Sequence, residues 1–177
     1  MKVVRQMSQS ASVLILLIGV FLADEQSSAH VDTEFPIGAD GILTGIPEKY
    51  GPISISVGRP ASAQLQFTFG QKVIDIPKCL IQQLPTLSLR DIRAAGSWYH
   101  GTESGLPPYI HFRFARSFDD YGVVEDGYEL MFNLETGELI GVTDRRFDET
   151  TQTLSLYSVY LSDICSTQDI QSLSSDN

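Results

Sequence analysis

The chain is poor in cysteine, histidine and cations, and each shortage closes off a class of function. Only Cys79 and Cys165 are present, without the C-x-x-C spacing of a redox pair. There are three histidines. His100 and His111 lie too far apart in sequence to form the paired ligands of a helical or strand metal site, and His30 has no identifiable partner. Lys and Arg number 12 against 22 Asp and Glu, for a net charge of −10. That balance speaks against nucleic acid, whose affinity comes from cations displacing counterions, and against docking on an anionic membrane surface. Long apolar runs are also missing. The longest, residues 13–23, falls short of the ~20 residues that cross a bilayer.

What that run does have is the length of a signal-peptide core. Lys2 and Arg5 precede it, and Ser27 and Ala29 stand at the −3 and −1 positions of a cleavage site. Residues 1–29 are therefore expected to be a signal peptide. The protein is then exported, periplasmic or extracellular, and keeps no membrane anchor after cleavage. Removing Lys2, Arg5, Asp24 and Glu25 takes away two charges of each sign, so the mature chain stays at −10. In an oxidising compartment Cys79 and Cys165 are expected to form a disulfide.

Residues 30–52 are dense in Gly and Pro and read as an irregular N-terminal arm. A single α+β domain is expected over 53–165, with a polar tail over 166–177 that frays. Ile53, Ile55 and Val57 alternate with serines, and Leu65, Phe67 and Phe69 alternate with polar residues, the period of two half-buried strands in a hairpin. Pro77 suits the first position of a short helix carrying Cys79, and Pro85 closes it. Ser88 suits the cap of a second short helix over 89–95, ending at Gly96. Strong alternation then marks four strands. Ile110, Phe112 and Phe114 belong to the first and residues 128–134 to the second, with a turn at Glu135-Thr136-Gly137. Residues 138–147 form the third and 151–161 the last. The expected fold is α+β: a mostly antiparallel sheet of five or six strands with two short helices on one face.

Two segments carry the residues that draw attention. Residues 96–105 hold the only Trp, a His, an acid and serines. A nucleophile elbow needs Gly-x-Ser-x-Gly, and Gly101-Thr102-Glu103-Ser104-Gly105 misses it by one position. The acids Asp119, Asp120, Glu125, Asp126 and Glu129 crowd a second segment, adjacent rather than alternating as a calcium loop requires. No metal or other cofactor is expected. Nine of the chain's seventeen aromatics fall between Trp98 and Phe132. Phe112, Phe114, Tyr128 and Phe132 fit a core-facing alternation, while Trp98, Tyr99, Phe118 and Tyr121 read as loop residues.

Aromatics beside carboxylates are what interfaces use, the first for energy and the second for steering. Trp98, Tyr99, His100, Glu103, Phe118, Asp119, Asp120, Tyr121, Glu125 and Asp126 are thus the candidate partner-binding residues. These features imply an exported, non-catalytic binding protein with a basic protein partner. An envelope inhibitor or immunity protein that blocks a toxin or hydrolase is its most concrete form. A small secreted hydrolase using Ser97 or Ser104 with His100, or the carboxylates near Asp119, and a small-ligand carrier, are the alternatives. His111 reads as an outward-facing strand residue.

Overall fold

Alternating sequences dominate the folded chain, and nearly all of them become antiparallel strands. The computed structural model describes residues 32–58, 64–97, 107–118 and 124–174; the expected signal peptide lies outside them. A six-stranded sheet contains β1 (Thr33–Phe35), β5 (Ile92–Ser97), β6 (Tyr109–Phe118), β7 (Val124–Asn133), β8 (Leu139–Asp148) and β9 (Thr153–Ser158), side by side in that order. A three-stranded sheet contains β2 (Ile53–Val57), β3 (Leu65–Phe69) and β4 (Lys72–Asp75). The helices are short: α1 (Lys78–Ile81), α2 (Leu161–Ile164) and α3 (Thr167–Ser174). The fold is α+β and mostly antiparallel sheet, as the alternation indicates.

The core lies between the sheets. Ile53, Ile55, Leu65, Phe67 and Phe69 are buried on the small sheet, and Ile92, Ile110, Phe112, Phe114, Leu130 and Phe132 on the large one. The Phe67 ring centroid lies 4.4 Å from that of Phe112 and 4.7 Å from that of Phe132. Such tilted aromatic pairs add to the burial of large apolar area. Leu80 and Ile81 of α1 are buried in the same core, and the Cys79–Cys165 disulfide ties α1 to the residue after α2 across a sequence separation of 86. No helix among the described residues is long and apolar enough to cross a membrane.

The expected helix over 89–95 is not formed. A single 3-10 turn, Leu89–Asp91, leads directly into β5, and Ser88 makes no side-chain cap. Tertiary pairing overrides local propensity here. Ile92 and Ala94 stand opposite Phe114 and Phe112 in register and face the core, which a helical turn would not allow. Phe118 is also the last residue of β6 rather than a loop residue, and its backbone pairs with Val124.

The arm and the tail both join the fold. Phe35, Leu43 and Tyr50 are core residues, and β1 pairs with β5. Residues 167–174 form α3, which buries Leu173. The turn at 134–137 is as the sequence indicates. Gly137 has φ 68°, and the Asn133 side-chain oxygen accepts from the amides of Glu135 at 2.8 Å and Thr136 at 3.2 Å.

Gly127 is required for a different reason. It faces Ala115 beside a bulge in β6, and a Cβ built on it would press into the Phe114 carbonyl oxygen and lie 3.1 Å from the Ala115 Cα. The obstacle is backbone, so it cannot rotate away. Gly127→Ala is expected to lower stability by about 1–3 kcal/mol, as overpacking does. Urea unfolding followed by far-UV dichroism checks this; an unchanged midpoint would mean that the strands separate freely at the bulge.

Candidate functional site

The alternation that sends Ile110, Phe112 and Phe114 into the core sends Tyr109, His111 and Arg113 to the opposite face of the large sheet. There they meet Glu129 of β7, Arg145 of β8 and Asp32, which precedes β1. The register aligns Arg113 with Glu129 and Gly127 with Arg145. The Tyr109 hydroxyl donates to Asp32 Oδ1 at 2.7 Å. His111 Nδ1 lies 3.4 Å from Glu129 Oε1, and its Nε2 lies 3.3 Å from Asp32 Oδ2, without hydrogen-bond alignment. Arg113 Nε donates to Glu129 Oε2 at 2.9 Å, and Arg145 Nη1 approaches the same oxygen at 3.3 Å.

His111 is therefore not the exposed residue that alternation alone suggests. It is only 3 % exposed, with a carboxylate facing each ring nitrogen. The signal for this lay in Asp32, far away in sequence, and only the pairing of β1 with β5 brings that residue near.

The electrostatics follow from burial and partners. Burial alone would raise the Glu129 carboxyl, but His111 and Arg113 outweigh it and hold the group at about 2. Tyr109 is pushed up to about 12, first by burial and then by its bond to Asp32. Burial and the neighbouring Arg113 lower Arg145.

A histidine between carboxylates has the composition of an acid–base site, but this one has no room for chemistry. A general base must come within hydrogen-bond reach of a substrate proton. The ring is enclosed, and Glu129 is already taken by two guanidinium groups. Among the described residues no group of His, Cys, Asp and Glu is arranged to hold a metal ion.

A second ion cluster sits on the core-side face, at the end of the sheet where β6 stops. Asp144 accepts from Arg116 Nη2 at 2.9 Å and from Arg146 Nε at 2.8 Å, and Arg116 Nη1 donates to Asp126 at 3.0 Å. Arg116 lies over the Tyr128 ring and Arg146 over Tyr157, stacking typical of guanidinium groups.

Of the candidate partner-binding residues, Trp98, Tyr99, His100, Glu103, Asp119, Asp120 and Tyr121 lie outside the described residues, as do Ser104 and His30. Phe118 ends β6, Glu125 lies in β7, and Asp126 is paired with Arg116. Ser97 ends β5 and is 4 % exposed. The two candidate segments depart from opposite ends of β6. Residues 98–106 follow Ser97, which pairs with Tyr109, whereas 119–123 follow Phe118. Those ends are about 30 Å apart at the rise of an extended strand.

The register also adds acids that the sequence reading did not place. In an antiparallel sheet the end of β6, the start of β7 and the β8–β9 turn fall at the same end, so Asp148 and Glu149 lie at the end where β7 begins with Glu125 and Asp126. The Asp148 carboxylate accepts from the amides of Thr150 and Thr151, at 2.8 and 3.2 Å. Those bonds hold its carboxyl below the usual range.

Comparison of the chain with protein-family models, with curated proteins and with solved structures found no match.

Proposed function

We propose that this chain is an exported, non-catalytic binding protein that engages a basic protein partner. An envelope inhibitor or immunity protein that blocks a toxin or hydrolase is its most concrete form. The observation that carries the reading is the gathering of acids at one end of the large sheet. The strand order puts the start of β7, with Glu125 and Asp126, at the same end as the exposed Asp148 and Glu149 of the β8–β9 turn, and Asp119 and Asp120 immediately precede β7 in sequence, outside the described residues. Arg116 compensates Asp126, and Asp148 stays ionised through its amide contacts. A predominantly acidic surface steers a basic partner and fixes its register. The enclosure of His111 favours binding over hydrolysis, and the disulfide is compatible with an oxidising compartment.

The test is capture of envelope proteins from the producing cell with this protein as bait, in wild-type form and with D119N, D120N, E125Q, D148N and E149Q combined. A stoichiometric basic partner is expected on the wild type. Neutralisation should weaken its binding at least about tenfold, and salt should weaken it as the Debye length shrinks from about 10 Å at 0.1 M to about 3 Å at 1 M. A partner held equally by both forms, or no partner at all, would overturn the reading.

A further inference from the structure

Four edges bound the two sheets, and three of them are protected by the usual means, which are shortness, charge or cover. β1 is only three residues long and carries Glu34. β4 carries Lys72 and Asp75. The outer side of β2 is covered, since the Ile55 amide donates to the Gly41 carbonyl at 2.9 Å and Ile42 bridges Ser54. Among the described residues, β9 has none of these protections. It ends the six-stranded sheet, its six residues Thr153–Ser158 carry no charge, and Leu154 is 45 %, Leu156 60 % and Tyr157 52 % exposed.

The free backbone groups of this edge can be assigned. The Val159 amide donates to the Val142 carbonyl at 2.9 Å, and Ser158 stands opposite Thr143. Hydrogen-bonded and non-bonded pairs alternate along an antiparallel ladder. The amides and carbonyls of Thr153, Ser155 and Tyr157 therefore point to β8, and those of Leu154, Leu156 and Ser158 point away from the sheet. The leucine side chains share one face, where they stand beside Phe147 and Arg145.

Charge at the two ends of the strand selects what can pair with it. Asp148 and Glu149 precede β9 and Asp163 follows it, all exposed. The cations next to β9 are already engaged, Arg145 with Glu129 and Arg146 with Asp144. A second copy pairing antiparallel about a two-fold axis would bring its Asp148–Glu149 end against the Asp163 end of the first, acid on acid. We propose that β9 is a strand-addition site for an extended segment of a partner protein, apolar at alternate positions and basic at both ends. Main-chain bonds supply affinity in such pairing and the alternate side chains supply selection. The proposal rests on the reading of this chain as a binder of a basic protein and names how part of that partner docks.

The test titrates the disulfide-intact protein with a synthetic peptide of alternating threonine and valine flanked by two lysines at each end. A second peptide has glutamates in place of the lysines. Amide resonances of Leu154, Leu156 and Ser158 are expected to shift most, and the glutamate peptide should bind at least about tenfold more weakly. Leu156→Pro removes an outward-facing N–H, and proline is tolerated at such an edge position. It should abolish binding while the remaining spectrum is kept. If that variant unfolds, Leu154→Lys with Leu156→Lys serves instead, since charge on the edge blocks pairing.

No binding, equal binding of both peptides, or binding that survives both variants would overturn the proposal. Concentration-dependent dimerisation abolished by Leu156→Pro would assign the edge to a second copy instead. Failure of the peptide with capture of a basic partner intact would remove strand addition and leave the binding reading standing. Peptide binding with no basic partner captured would do the reverse.

Discussion

Replacing both Cys79 and Cys165 with serine is expected to lower the unfolding free energy by about 4–5 kcal/mol. The bond closes a loop with a sequence separation of 86, and loop-closure entropy in the unfolded chain gives that figure for such a length. The native side adds little to oppose it. Cys165 is buried beside the core, and α1 contributes Leu80 and Ile81 to the same core, so the two ends are held by packing whether or not they are bonded. Urea unfolding of the two forms measures the effect. With slopes of about 1–3 kcal/mol per molar for small proteins, the midpoint should fall by roughly 2 M. The slope should also rise, because the uncrosslinked chain exposes more surface on unfolding. A loss below about 1 kcal/mol would show that the reduced chain keeps residual structure around α1.

The parts of this fold legible in the sequence are those where one strand carries its own signal. Phe67 and Phe69, Phe112 and Phe114, and Leu130 and Phe132 declare their faces by alternation alone, and their side chains share one core. Pro77 announces α1, and Gly137 announces its turn. What escaped was decided by neighbours. Five of residues 89–95 are Leu, Arg or Ala, good helix formers, yet 92–95 become a strand because β6 offers Ile92 and Ala94 partners in register. β1 and β4 are too short to show a period. The candidate site divides in the same way. The residue types of the acidic end could be read along the chain, but that the β8–β9 turn falls at the same end of the sheet as the start of β7 follows only from strand order. His111 has the polar alternation of a solvated residue, and no local pattern shows that Asp32 and Glu129 enclose it.

Glu129 is where charge and stability are most tightly joined. Arg113 and Arg145 both rest on Oε2 and His111 faces Oε1; Asp32 stands across the ring from it. Glu129→Gln keeps the shape and removes the charge, leaving two guanidinium groups over a neutral amide, with Arg145 largely buried. Breaking a buried pair in this way is expected to cost about 3–5 kcal/mol. The dependence on pH has a definite sign. The carboxyl is held at about 2 in the folded protein, below its ordinary 4.5, so its ionisation stabilises the fold fully above that ordinary value. That stabilisation drains away as pH falls from about 4.5 to about 2. The contribution at stake is about 3 kcal/mol at 1.36 kcal/mol per pH unit. The difference in unfolding free energy between wild type and Glu129→Gln should therefore shrink steadily as pH falls below about 4.5. Urea titrations at half-unit steps would resolve this. A difference that stays constant down to pH 2.5 would mean that Glu129 gains no charge-dependent stabilisation from His111, Arg113 and Arg145, and that the cluster holds the sheet by packing alone.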